Sequence, residues 1–180
     1  MKLVRAPAGT ELVKLEVPTV FGASIDTVAV AMAQLLPDAV VCIGQAGGRA
    51  AVTPERVAIN LMDATIADNA GVIPVDEPVI SGGENALFST LPVKAMVRAI
   101  QDAGVPAQLS CTAGTFVCNQ LLYGVLDLCR RRYPGTRAGF IHVPFLPEQA
   151  AKYQNLPSMA LSDMVTALEA ALAAIAEEAQ

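Results

Sequence analysis

The sequence predicts an α/β fold, a three-layer α/β/α sandwich around a mostly parallel central sheet. Short apolar runs such as AVVCIG (39–44) and RAGFIHVP (137–144) alternate with segments of helical periodicity. The runs are apolar on both faces, as strands covered on both sides by helices must be. Apolar residues make up 53% of the 180 residues and charged ones 16%, enough to build a core without staples. The length suits a single domain, taken as 1–180.

The elements follow in order. ELVKLEVPTVF (11–21) alternates and then runs apolar to Pro18, which predicts a strand. SIDTVAVAMAQLL (24–36) has helical spacing, with Ser24 as the expected N-cap and Pro37 just beyond the end. Ala39–Gly44 enters a glycine-rich turn, as a buried parallel strand would. Between Gln45 and Thr90 lies a stretch rich in Gly, Pro, Asp and Asn, unusual inside a compact domain unless it is functional. Leu91–Gly104 predicts a helix closed by Gly104, Val105–Ser110 a short strand, and the segment from Thr115 to Tyr133 a helix. RAGFIHVP is a second buried strand, and Ser162–Glu178 is the closing helix.

Charge and composition exclude several functions. A net charge of −5 is wrong for nucleic acid, and the one basic cluster, Arg130–Arg132, falls where a helix ends and cations favour the dipole. The N-terminus lacks the apolar core of a signal peptide, and no uncharged run reaches the roughly 18 residues needed to span a bilayer. A cytoplasmic location is therefore expected, with the cysteines reduced. One histidine, and no cysteine pair at zinc-finger spacing, leave no metal site.

In open parallel sheets ligands bind beyond the carboxyl ends of the strands. Three such ends carry reactive residues here: the turn GQAGGRAAVTPERVAIN with Glu55, CTAGTFVCN with Cys118, and FIHVP with His142. Cysteine, histidine and a carboxylate form a recurring nucleophilic set. Cys118 would lie in the first turn of its helix, where the dipole and free N–H groups favour a thiolate and could form an oxyanion hole. Cys111 lacks that field, and Cys42 and Cys129 fit inert core positions. Blander readings stand beside these: a buried hydrogen-bonded histidine, a surface Glu55 paired with Arg56, and an inert Cys118.

GQAGGRAAVTPERVAIN, SCTAGTFVCNQLLYG and GFIHVPFLPEQ resemble the three signature segments of the pyroglutamyl peptidase I family, the pyrrolidone carboxyl peptidases. KLEVPTVFG, PVDEPVISGG, FSTLPVKAMV and LPSMALSDMVTALEAA extend the resemblance over nearly the whole chain. It implies a cysteine peptidase that removes N-terminal L-pyroglutamate from peptides, with Cys118 as nucleophile, His142 as general base and Glu55 as the catalytic carboxylate. It implies pocket residues Gln45, Ile66, Phe116 and Val117 for the lactam ring, no cofactor, and a homo-oligomer, a tetramer. An apolar slot with a few polar groups would select the uncharged ring over free glutamate. The rivals are a catalytically impaired truncated form that acts as a binding module, and a related cysteine amidase.

The chain departs from the family pattern at its start. Members usually open with a strand and a GFxPFGG-like loop, whereas MKLVRAPAGTELVKLEV corresponds to the region after them. Either the start lies at an internal methionine of a longer chain, or this is a short form. A short form would leave a strand edge unpaired and one wall of the pocket without its aromatic residues. Thr65 stands where many members carry arginine.

Overall fold

In a computed structural model, residues 3–178 are described. The elements run α1 (Ala23–Leu35), β1 (Ala39–Gln45), β2 (Thr53–Glu55), β3 (Val57–Ile59), β4 (Ala86–Phe88), α2 (Val93–Asp102), α3 (Val117–Arg132), β5 (Arg137–Val143), α4 (Pro147–Ala150) and α5 (Leu161–Glu177). The protein is an α/β structure with three layers. β5 lies between β1 and β2 at the centre of a three-stranded sheet, and its middle five residues are buried. Alternate residues of the strands face opposite cores. Ile141 packs with Met96 and Ile100 of α2 and with Met164, Leu168 and Ile175 of α5. Ala138, Phe140 and Cys42 face the other way, onto Val28 and Met32 of α1 and Leu121, Leu122 and Val125 of α3.

The central sheet is mostly parallel, with one short antiparallel strand. β1 and β5 are parallel over their full length, Ala39 opposite Arg137 through Gln45 opposite Val143, but β2 runs antiparallel to β5. β3 and β4 form a separate antiparallel pair. The expected strand at Val105–Ser110 is reduced to two parallel bridges, Val52 to Ala107 and Glu55 to Ser110, so its backbone still follows β2 without a continuous ladder.

Two further expectations are corrected. No strand forms over Glu11–Pro18: Val13 and Leu15 are exposed, and among the described residues no neighbouring strand pairs with this segment. Ser24 does not cap α1. The helix starts after Gly22, and the buried Ser24 hydroxyl donates to Gln120 Oε1 at 2.9 Å, tying α1 to α3. Elsewhere the local signals hold. α1 ends at Leu35 with Leu36 in the left-handed region, and Gly104 follows the end of α2 with φ of 82°. Arg130 and Arg131 close α3 by pairing with Asp127 one turn earlier, at 3.1 and 2.8 Å.

The α1–α3 contact depends on Gly124. A Cβ there would stand 2.2 Å from Ile25 Cδ1 and 2.6 Å from its Cγ1, and a β-branched side chain has few rotamers with which to retreat. Gly124→Ala is expected to destabilise the fold by about 1–3 kcal/mol despite alanine's better helix propensity. Urea denaturation would register this as a lower midpoint with unchanged slope.

Candidate active site

The sheet register brings the predicted catalytic residues together. In a ladder, residues directly opposite each other project to the same face, as do residues two apart on one strand. Gly44, His142 and Thr53 form one rung across β1, β5 and β2, and Cys42, Phe140 and Glu55 form the next. This face lies under α3. His142 and Glu55 are thus diagonal neighbours, and His142 Nδ1 lies 2.8 Å from Glu55 Oε1, both side chains buried.

Cys118, the second residue of α3, descends onto the same rungs. A Cβ built on Gly44 would lie 3.1 Å from Cys118 Sγ and 2.8 Å from Phe140 Cζ. The thiol therefore occupies the space that a side chain at Gly44 would fill, on the strand position next to His142. Only glycine allows this approach. Phe140 in turn packs against the imidazole, ring centroids 4.6 Å apart.

The electrostatics of the site differ from the expectation of a resting thiolate. The helix-start position of Cys118 is as expected, with Phe116 as N-cap. Burial nevertheless pushes the thiol up to about 11, the Glu55 charge adds to this, and the Arg49 charge opposes it. At neutral pH Cys118 is a thiol, because desolvation and the Glu55 charge outweigh the Arg49 charge. Burial pushes Cys42 up to about 12 and Cys129 to about 11, in keeping with inert core cysteines, while Cys111 is exposed.

Glu55 is fully buried, so the reading of a surface carboxylate fails. Burial alone would raise its pKa, but hydrogen bonds from His142 and Arg49, the nearby Ser110 hydroxyl and the Arg49 charge together hold the carboxyl below its usual range. Its partner is Arg49 rather than Arg56, with Arg49 Nη1 at 2.5 Å from Oε1. The Ser110 hydroxyl donates to the Thr112 carbonyl, and Glu55 Oε2 accepts no hydrogen bond.

The pocket candidates are less concentrated. Phe116 is half-buried, its ring set edge-on to Phe21 at 5.2 Å, so an aromatic pair stands close before Cys118. Val117 is buried. Gln45, at the exposed end of β1, donates to Gln149 Oε1 at 2.6 Å and to the Pro144 carbonyl at 3.4 Å. Ile66 is 64% exposed, in a loop whose Asp63 holds the Thr115 backbone and hydroxyl. The structure thus brings Glu55, His142 and Cys118 into one cluster and leaves Ile66 on the surface. Sequence reasoning missed Arg49. Its only signal was a lone cation inside an otherwise uncharged glycine-rich turn, six residues before Glu55.

An α/β fold that buries a carboxylate–imidazole pair beneath a cysteine at a helix start defines a cysteine hydrolase class of site. The family model for pyroglutamyl peptidase matches residues 5–178. A pyrrolidone-carboxylate peptidase of Streptococcus suis (strain 05ZYH33) is 53% identical over 175 residues, covering 97% of this chain and 81% of the relative. One from Lactobacillus johnsonii is 52% identical over 176 residues, covering 96% and 82%. The crystal structure of Bacillus amyloliquefaciens pyroglutamyl peptidase I superposes with a TM-score of 0.94 at 45% identity, covering 98% of this chain and 85% of that one. A mutant (E192D) pyrrolidone carboxyl peptidase from Pyrococcus furiosus gives 0.87 at 34% identity, covering 91% and 81%. The chain belongs to the pyroglutamyl peptidase family, and it is a cysteine peptidase of the pyroglutamyl-peptidase I type.

Proposed function

We propose that this chain hydrolyses the peptide bond after an N-terminal L-pyroglutamyl residue through a Cys118–His142–Glu55 triad and a thioester intermediate. The observation that carries this reading is the 2.8 Å contact of His142 Nδ1 with buried Glu55, on the rung against which Cys118 Sγ packs. An ionised carboxylate can only accept hydrogen bonds, so Nδ1 carries the proton and Nε2 is left free to act as base. Because the resting thiol is protonated, the proton leaves as attack begins. His142 Nε2 takes it while Cys118 Sγ bonds to the acyl carbon.

The oxygen becomes negative next to the first turn of α3, whose N–H groups have no partners within the helix. The tetrahedral species collapses as His142 gives its proton to the leaving amine, and the C–N bond breaks. Water then attacks the thioester, His142 takes a proton from that water, and its return to sulfur releases pyroglutamate and regenerates the thiol. Glu55 holds the imidazole in one tautomer and stabilises its transient positive charge. Phe116, set edge-on to Phe21, offers an apolar wall to the lactam ring, and Gln45, Ile66 and Val117 are the other ring contacts in this reading. Self-association to a tetramer and a cytoplasmic location belong to the same reading.

The test is release of a fluorophore from an L-pyroglutamyl amide, with L-prolyl and L-glutamyl amides as controls. Turnover is expected only with the pyroglutamyl substrate. No turnover by the folded protein, or equal turnover of the controls, would overturn the reading.

A further inference from the structure

Arg49 is where the segments of the site converge. It lies in the turn after β1, and its side chain is 22% exposed. Its Nη1 donates to Glu55 Oε1 and to the Thr53 hydroxyl, and its Nη2 donates to the Thr112 carbonyl at 2.9 Å. Glu55 is the carboxylate that holds His142. Thr53 sits opposite His142 in the ladder, and its hydroxyl also reaches the His142 carbonyl at 3.5 Å. Thr112 opens the turn that leads through Gly114 into the nucleophile's helix. One guanidinium therefore connects the β1 turn, β2 and the strand-to-helix turn before Cys118.

We propose that Arg49 is a positioning residue of the catalytic site: its fork fixes the Glu55 carboxylate against His142 and anchors the turn that delivers Cys118. The inference rests on the triad reading above, because it assigns Arg49 a task only if those three residues react together. A carboxylate with no exposed surface and one oxygen lacking any partner would favour its neutral form without a neighbouring cation. Protonated Glu55 could no longer balance an imidazolium. The second task needs shape as well as charge. A planar fork can span Oε1 and the Thr112 carbonyl with separate N–H groups, whereas an ammonium is a point charge on a flexible stem. The titratable groups facing this centre are Glu55, His142 and Cys118, and Arg49 is the cation that lowers the thiol and carboxyl pKa values among them.

The experiment separates charge from shape with Arg49→Gln and Arg49→Lys. Alkylation of each cysteine by iodoacetamide at pH 8 is followed by mass spectrometry. Removing the Arg49 charge also lets Glu55 become neutral, and the two changes act on the Cys118 thiol in opposite directions, so alkylation reports the fold, and the imidazole 15N spectrum of His142, the one histidine of the chain, reports the proposal. In Arg49→Gln the Nδ1–H form held by the Glu55 carboxylate is expected to give way to a mixture of tautomers, whereas Arg49→Lys is expected to keep it. Protected Cys42 and Cys129 certify that each variant is folded. With the pyroglutamyl amide, Arg49→Lys is expected to lower kcat at least about tenfold with KM within about twofold, the signature of misplaced catalytic groups.

An unchanged imidazole spectrum in folded Arg49→Gln, or unchanged kcat in Arg49→Lys, would overturn the proposal. If Arg49→Gln does not fold, the Lys variant decides, since it retains the buried charge pair. If the parent turns over no pyroglutamyl amide, the peptidase reading fails by itself, and the imidazole spectrum still tests whether Arg49 fixes Glu55 against His142.

Discussion

Replacing Cys118 by alanine is expected to lower kcat/KM on an L-pyroglutamyl amide by at least about a thousandfold, with little change in stability. Without the sulfur no thioester can form, and only binding and oxyanion contacts remain to favour hydrolysis. Cys118→Ser should be nearly as poor, because a hydroxyl is harder to deprotonate than a thiol already pushed up to about 11. The small volume removed, at a half-buried position, keeps the thermal midpoint close to that of the parent. Cys111→Ala is the control, since the residue is exposed and lies on the turn before the helix. Retention of more than about a tenth of the activity by Cys118→Ala would remove it from the nucleophile's place.

The second large effect is expected at Glu55. Glu55→Gln preserves the shape of the side chain but removes the charge shared by His142 and Arg49. A neutral amide can present its N–H₂ to Nδ1 and so favour the wrong imidazole tautomer. Losses of about a thousandfold or more in kcat follow, with KM less affected. The mutation also leaves Arg49 without its anion, a loss of about 2 kcal/mol in unfolding free energy.

Acid sensitivity should change as well. The folded-state pKa of Glu55 is lowered from the ordinary 4.5, so its ionised form stabilises the fold. That contribution is complete above the ordinary value and is lost as the pH falls below it, through the folded value. The parent should therefore lose stability below about pH 4.5 more steeply than Glu55→Gln, as urea midpoints measured from pH 7 to pH 3 would report. Parallel curves would mean that the carboxylate carries no net stabilisation.

How far the sequence could be read depended on the length of each signal. β1, β5, α2, α3 and α5 were legible because each repeats its period several times. AVVCIG and RAGFIHV run apolar for a whole strand, and α5 keeps one apolar face for four turns. β2, β3 and β4 have three residues apiece, too few for a period to repeat, and so vanished into the Gly- and Pro-rich stretch. Glu11–Pro18 shows the opposite failure, an alternating pattern to which the fold gives no partner strand.

In the site, residue type and position at three predicted strand ends made Glu55, Cys118 and His142 candidates beside blander readings, and the family resemblance supplied their roles. Arg49 was not legible. Its partners, Glu55, Thr53 and Thr112, come from β2 and from a turn more than sixty residues away, and only the folded chain brings them to one guanidinium.

The sequence by itself determined the α/β class and the order of the long elements and offered three candidate reactive residues, because local periodicity and side-chain chemistry are written in neighbouring positions. Tertiary structure alone decided that β2 runs antiparallel beside β5, which places Glu55 diagonal to His142. It also decided that Cys118 rests as a half-buried thiol rather than a thiolate, because desolvation depends on what surrounds a group and not on where it stands in its helix.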